Sequence, residues 1–66
     1  MAKNKFKRNI KRWRVKLKMT QAQLATELRI PRPTIGAYEE GRSTPKLDGL
    51  IKMAEYFGIT VDELIK

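Results

Sequence analysis

The sequence contains no cysteine and no histidine. Disulfide bonds, thiolate nucleophiles and the usual zinc ligands are therefore excluded, and we expect neither a metal ion nor a cofactor. It also lacks any apolar run long enough for a signal peptide or a membrane span. We therefore expect no membrane partner and a cytoplasmic location, for a protein encoded by a bacterium or a phage.

Catalytic groups are also scarce. The chain has seven carboxylates but no histidine, no cysteine and no glycine-rich phosphate loop. With 66 residues it is too short for more than one domain, so we expect a single domain over residues 1–66 without a shaped substrate cavity. An enzyme is excluded on these grounds, and we expect no small-molecule ligand.

The net charge of +8 is unevenly distributed along the chain. Residues 1–46 hold 13 Lys and Arg residues against three glutamates, a net charge of +10, whereas residues 47–66 have a net charge of −2. Nine of the fifteen cations lie between Lys3 and Lys18. This asymmetry predicts that a polyanion such as duplex DNA contacts the first two-thirds of the chain.

Two short helical patterns lie about ten residues apart in the middle of the sequence. Apolar side chains recur with helical spacing in each, from Leu24 to Leu28 and from Ile35 to Tyr38. The connection between them is a tight turn at residues 29–31. This arrangement predicts helices at about 21–28 and 32–40 and is typical of a helix-turn-helix. Since Arg32 precedes a proline, we expect regular helix nearer Pro33 than Pro31.

Two capping boxes mark helix starts. In each, a threonine precedes Gln or Glu by three residues, at Thr20 with Gln23 and at Thr60 with Glu63. Apolar residues stand at the hydrophobic-staple positions on either side of both threonines. The boxes predict helices that begin near residues 21 and 61, the second ending near 65.

The first and fourth helices are predicted from apolar stripes at about 5–17 and 45–57. In the first, Phe6, Ile10, Trp13 and Leu17 form a stripe on a very basic helix. We favour a core stripe whose charged face lies near phosphates; a merely solvated face and a membrane-surface amphipath are the alternatives.

In the fourth helix, Thr44 is the expected N-cap and Pro45 the first residue. Its apolar stripe begins at Leu47 and includes Ile51. With no strand pattern anywhere, the predicted fold is an all-α bundle of five helices.

Several motifs together resemble the Cro and phage-repressor type of helix-turn-helix regulators, often called Xre-like. The resemblance covers nearly all of the chain from Ile10 to Leu64 and implies a lambda-repressor-like DNA-binding domain. The motifs that carry it are Ile10-x-x-Trp13-Arg14, Thr20-Gln21-x-x-Leu24-Ala25, Thr34-Ile35-x-x-Tyr38-Glu39-x-Gly41, Pro45-x-Leu47 and Phe57-Gly58-Ile59-Thr60-x-Asp62-Glu63-Leu64.

The resemblance assigns roles to three polar residues. Gln21, at the start of the second helix, matches a glutamine that binds a backbone phosphate, as helix N-termini favour anions. Arg14 and Glu39 match a buried ion pair between the first and third helices. Both lie on or beside inward faces, where a charge is costly unless paired; two independent surface charges are the alternative.

The chain departs from this family at two turns and one cap. The family usually has glycine where Lys18 and Arg29 stand, and serine where Pro31 stands. We therefore expect both turns and the start of the third helix to be built differently.

The outward face of the third helix is the expected base-reading surface, formed by Arg32, Pro33, Gly36 and Ala37. Arg32 has the length and the donor fork to bind guanine, and Ala37 can pack against a thymine methyl. Gly36 would let the backbone approach the groove floor. The expected phosphate contacts are Gln21, Thr34, Arg42 and Lys46.

These features predict a sequence-specific, double-stranded DNA-binding transcriptional regulator, acting as a repressor on a palindromic operator. We expect a homodimer because the last helix and the turn before it carry more apolar side chains than docking requires, namely Tyr56, Ile59, Val61 and Ile65. The alternative is a DNA-binding antitoxin or protein-interaction module that acts through a partner protein. With only five aromatic residues, RNA binding is disfavoured.

Overall fold

The computed structural model describes residues 5–66, and residues 1–4, including Lys3 of the basic segment, lie outside the described range. The described chain folds into five α-helices without a strand. In chain order they are α1 (Phe6–Lys16), α2 (Gln21–Leu28), α3 (Arg32–Glu40), α4 (Leu47–Phe57) and α5 (Val61–Ile65). None of them is long and apolar enough to cross a membrane.

All five helices contribute to one core. Phe6 of α1 meets Tyr38 of α3 edge to face, with ring centroids 5.5 Å apart. Trp13 stacks on Phe57, which joins α1 to α4. The other buried apolar side chains are Ile10, Leu24, Ala25, Leu28, Ile35, Met53, Ala54 and Leu64.

Both capping boxes are formed. The Thr20 hydroxyl accepts from the Gln23 amide at 3.0 Å, and the Gln23 side chain accepts from the Thr20 amide at 2.8 Å. Thr60 and Glu63 make the same reciprocal pair at the start of α5. These bonds satisfy amides that have no partner within the helix.

The turns around α2 have the backbone that glycine favours, although neither contains glycine. Lys18 and Arg29 have φ angles of 57° and 59°, in the left-handed region. The expectation that these turns would be built differently is therefore wrong for the backbone. Lys and Arg adopt the strained conformation because the packing of the flanking helices imposes it.

The start of α3 does differ from a serine-capped helix. Pro31 occupies the N-cap position with an extended ψ of 143° and makes no side-chain capping bond. The helix includes Arg32, so the proline that follows does not delay it to Pro33. A proline in the first turn loses no helical hydrogen bond, since amides there have no intrahelical acceptor.

Two apolar stripes extend beyond the core. α1 ends at Lys16, and Leu17, expected in the core, is 46% exposed. α4 begins at Leu47 rather than Pro45, with Lys46 instead of Thr44 as N-cap. Leu47 and Ile51 are 64% and 41% exposed, because α4 packs against α5 and α2 and its third side is uncovered.

Asn9 ties the two ends of the described chain together. Its side-chain amide is buried and donates to the carbonyl of Leu64 at 3.0 Å. The backbone amide of Lys5 donates to the Ile65 carbonyl at 2.6 Å. These bonds satisfy carbonyls at the end of α5, for which a five-residue helix has no amide donors of its own. The sequence analysis did not identify Asn9.

Candidate nucleic-acid interface

The two sides of α3 are sharply different. Ile35, Tyr38 and Glu39 are buried against the bundle. On the other side, Arg32, Pro33 and Glu40 are exposed, and Gly36 and Ala37 are half-buried. The structure thus places the four expected base-reading residues, Arg32, Pro33, Gly36 and Ala37, along one outward strip.

Arg14 and Glu39 form a two-pronged ion pair between α1 and α3. Arg14 Nε donates to Glu39 Oε2 at 2.6 Å and Nη2 donates to Oε1 at 3.0 Å. The side chains are only 13% and 4% exposed. Arg14 Nη1 also donates to the Met19 carbonyl at 2.7 Å. The guanidinium therefore holds the turn before α2 as well as the end of α3.

Gln21 joins this network. Its side-chain Nε2 donates to Glu39 Oε1 at 3.1 Å, so the residue expected to bind a phosphate is already oriented by a carboxylate. One amide hydrogen remains for another acceptor. Its Oε1 lies 3.7 Å from the position that a Cβ on Gly36 would occupy, so the start of α2 lies against the outward strip of α3.

The network keeps Glu39 ionised. Burial would raise the pKa of Glu39, but hydrogen bonds from Arg14 and Gln21 and the charges of Arg14 and Lys11 bring it below its usual value. On the other side of the pair, the hydrogen bond to Glu39 raises the pKa of Arg14.

The expected phosphate contacts surround α3. Thr34 is half-buried in its first turn, while Arg42 and Lys46 are exposed in the segment that follows it. Arg42 comes directly after Gly41, whose φ of 78° ends the helix. Its Nε donates to Glu40 Oε1 at 2.7 Å, in a pair whose side chains are both more than 60% exposed.

Lys7 is an addition that the sequence did not reveal. Its Cδ lies 2.9 Å, and its Nζ 3.6 Å, from the position of a Cβ on Gly41. The lysine stem thus covers the glycine that ends α3, although 34 residues separate them in sequence. Only the docking of α1 on α3 creates this contact, and no spacing within the sequence signals it.

Not every cation of α1 faces α3. Arg12 and Lys16 line a shallow cavity of about 270 Å³ together with Trp13, Glu63 of α5 and Lys66, which follows α5. Lys16 Nζ lies 4.8 Å from the centre of the Trp13 ring. The basic residues of α1 are therefore divided between the α3 and α5 sides of the helix.

The residues expected to form the dimer interface are more buried within their own chain than their apolar character suggested. Ile59, Val61 and Ile65 are partly buried and pack against the core of their own chain. Tyr56 is 38% exposed, and its hydroxyl lies 3.6 Å from Met19 Sδ. Among residues 5–66 the most exposed large apolar side chain is instead Leu47 of α4, at 64%.

Within residues 5–66 there is no group of three or more acidic side chains close enough to hold a metal ion. The arrangement offers donors and cations around one protruding helix face. Its chemistry is that of binding an anion rather than transforming a substrate.

Comparison with known proteins gives concordant matches. The family model described as helix-turn-helix matches residues 10–64. The chain is 32% identical over 60 residues to the HTH-type transcriptional activator BcrR of Enterococcus faecalis, covering 91% of this chain and 29% of BcrR. It is 35% identical over 60 residues to the cryptic phage CTXphi transcriptional repressor RstR of Vibrio cholerae, covering 91% of this chain and 54% of RstR.

Among solved structures, the fold matches a transcriptional regulator from Listeria innocua with a TM-score of 0.91 and 28% identity. That match covers 97% of this chain and 60% of the Listeria chain. The chain thus spans about half or less of the length of BcrR and RstR.

Proposed function

Because the chain belongs to the helix-turn-helix family of transcriptional regulators, which are not enzymes, we propose that it binds double-stranded DNA sequence-specifically through α3 in the major groove. The observation that carries this proposal is the outward strip of α3. Gln21 lies beside this strip at Gly36 and Arg42 follows the end of the helix, while Ile35, Tyr38 and Glu39 are buried on the opposite side.

In this function Arg32 reads a base. It is exposed in the first turn of α3, has no ion-pair partner among residues 5–66, and can donate two hydrogen bonds to guanine. Pro33 and Ala37 offer apolar contacts, and Gly36 allows close approach. Gln21, Thr34, Arg42 and Lys46 bind phosphates and set the register of α3.

We propose that the protein binds a palindromic operator as a homodimer. The supporting feature is a surface of α4 and α5 away from the outward strip, to which Tyr56 contributes with Ile59, Val61 and Ile65. A two-fold dimer would set half-sites about 10 bp apart, centre to centre. Sedimentation of the protein alone and on a palindromic duplex tests this; a monomer under both conditions contradicts it.

The regulatory effect is proposed to be repression. RstR is named a repressor and BcrR an activator, and the chain is similar to both over 60 residues. Repression requires only that the protein occupies promoter DNA. Binding through the outward strip of α3 is sufficient for this. A function on bacterial or phage DNA requires the protein to be in the cytoplasm.

Selection of bound sites from randomised duplexes tests the proposal directly. We expect enrichment of a palindrome with a guanine at one position of each half-site, and loss of that preference in Arg32→Ala. Recovery of unenriched sequences at low and moderate salt would show binding without sequence specificity and would contradict the proposal.

A second candidate is a DNA-binding antitoxin or protein-interaction module that acts through a partner protein. The observation in its favour is the exposed apolar pair Leu47 and Ile51 on the third side of α4. A toxin encoded by the adjacent gene that co-purifies with the chain, and is lost in Leu47→Ser, would support this candidate. Binding of a defined site by the purified protein alone favours the regulator.

A further inference from the structure

Gly41, at the C-terminal end of α3, is contacted by Lys7 and followed in the chain by Arg42. The lysine reaches this point from α1, with Nζ 3.6 Å from the position of a Gly41 Cβ. Arg42 follows Gly41 directly, and its amide donates to the Ala37 carbonyl at 2.9 Å. A cation from α1 and a cation from the loop after α3 are thus both positioned next to Gly41.

The surroundings favour an anion at this point. Lys7 has no ion-pair partner among residues 5–66, and Arg42 shares its charge with Glu40 alone. Lys11, one turn after Lys7, is close enough to lower the pKa of Glu39. The backbone amides of Ser43 and Thr44 also make no hydrogen bond within the described chain.

The position of Lys7 and Arg42 suits the binding of a phosphate. Lys7 and Arg42 flank the end of α3, and Gln21 flanks its outward strip near Gly36. A helix lying in the major groove passes between two phosphate backbones, so cations at its end are within reach of a phosphate. The glycine at position 41 is explained by its φ of 78°, and the Lys7 stem packs over it.

We infer that Lys7 and Arg42 together bind one phosphate group of the DNA backbone, in a site to which α1 contributes the lysine. The inference rests on the proposed function and adds to it a residue outside the helix-turn-helix. Glu40 occupies the guanidinium of Arg42 until the phosphate replaces it. Lys7 supplies a charge that has no ion-pair partner within residues 5–66.

The test measures binding of a fluorescent duplex of about 20 bp at salt concentrations from about 50 to 200 mM. Lys7→Met keeps the apolar stem over Gly41 and removes the charge. Arg8→Met is the matched control, because Arg8 is the exposed neighbour of Lys7 and its loss changes the net charge equally. We expect Lys7→Met to reduce the slope of log affinity against log salt by about 0.9, and Arg8→Met to change it much less.

Joint binding of one phosphate also predicts coupling. The affinity loss of Lys7→Met with Arg42→Met should be smaller than the sum of the two single losses. If Lys7→Met and Arg8→Met change the slope of log affinity against log salt equally, the change reflects net charge alone and the inference is overturned. Fully additive losses would also overturn it, since they indicate two separate phosphates.

Failure of the proposed function can be told apart from failure of this site. If the wild-type protein binds no duplex at any salt concentration, the proposed function is wrong. The site is then tested with inorganic phosphate, followed by the amide resonance of Gly41. A phosphate-dependent shift that disappears in Lys7→Met supports the site, and no shift in the wild-type protein overturns it.

Discussion

Gln21 Nε2 lies 3.1 Å from Glu39 Oε1, the same oxygen that accepts a hydrogen bond from Arg14 Nη2 at 3.0 Å. One buried carboxylate therefore joins α1, the start of α2 and the end of α3. The relative placement of α2 and α3 decides whether a phosphate contact and a base contact can be made together. The ion pair is thus part of the candidate interface as well as of the core.

Gln21→Ala should weaken binding to every duplex by about 1.5 kcal/mol, the typical value of a hydrogen bond to a charged group. The salt slope should not change, because glutamine is uncharged. If Glu39 orients Gln21, the loss should nearly vanish in an Arg14→Met/Glu39→Leu background. An equal loss in both backgrounds, measured by fluorescence anisotropy, would show that Gln21 acts independently of Glu39.

Removing one partner of the ion pair should be costly for stability. Arg14→Met or Glu39→Gln should lower the free energy of unfolding by about 3 to 5 kcal/mol, because each leaves the other group buried with its charge or hydrogen bonds unsatisfied. The double replacement Arg14→Met/Glu39→Leu should cost less than the sum. Urea denaturation checks this, and single losses below about 1 kcal/mol would indicate a pair that is effectively at the surface.

The same pair predicts a pH dependence. The pKa of Glu39 is lowered in the folded protein, so this group stabilises the fold above its unfolded pKa, which is about 4.3. The contribution should decline as the pH falls through that value and disappear below the folded pKa. In Glu39→Gln the corresponding decline should be absent. Parallel stability curves for both proteins between neutral and acidic pH would contradict the lowered pKa.

The sequence predicted the helix-turn-helix well because its signals are local. The capping box at Thr20 defines the start of α2, and apolar spacing within a few residues gives the inward faces of both helices. α2 and α3 consequently occupy the ranges expected from the sequence. The Arg14 and Glu39 contact was also suggested, since two charges on inward faces need each other.

What the sequence could not provide depends on how the helices meet. Periodicity shows which side of α4 is apolar, but not how far its neighbours extend over it, so it could not show that Leu47 at the start of the stripe is exposed. The contact of Lys7 with Gly41 and the bonds from Asn9 to α5 arise only from docking α1. Local reasoning about family glycines also failed, because tertiary packing holds Lys18 and Arg29 in the left-handed conformation.

These two strained residues give a stability prediction. Lys18→Gly and Arg29→Gly should each raise the free energy of unfolding by up to about 1 kcal/mol, since relief of left-handed strain outweighs the extra entropy of glycine in the unfolded chain. Arg8→Gly, inside α1, is the contrasting variant and should destabilise by about 1 kcal/mol. Thermal unfolding distinguishes them; destabilisation by Lys18→Gly and Arg29→Gly would mean that these side chains make contacts worth more than the strain.

Arg32 is the residue on which sequence reading depends. It is the one long donor side chain on the outward strip, which otherwise presents Pro33, Gly36 and Ala37. Arg32→Ala should therefore cost about 1 to 3 kcal/mol on the best selected site and remove the preference at one base pair. On a scrambled duplex the loss should be much smaller, because only the general electrostatic attraction declines.

The comparison needs a second variant that removes a phosphate contact alone, and Arg42→Ala serves this purpose. It should weaken the selected and scrambled duplexes alike and lower the salt slope by about 0.9. Arg32→Ala measured beside it on both duplexes, at several salt concentrations, separates base reading from charge. If Arg32→Ala also weakens both duplexes equally, Arg32 contacts phosphate, and base reading must come from Ala37, the α3 backbone at Gly36 and the shape of the DNA.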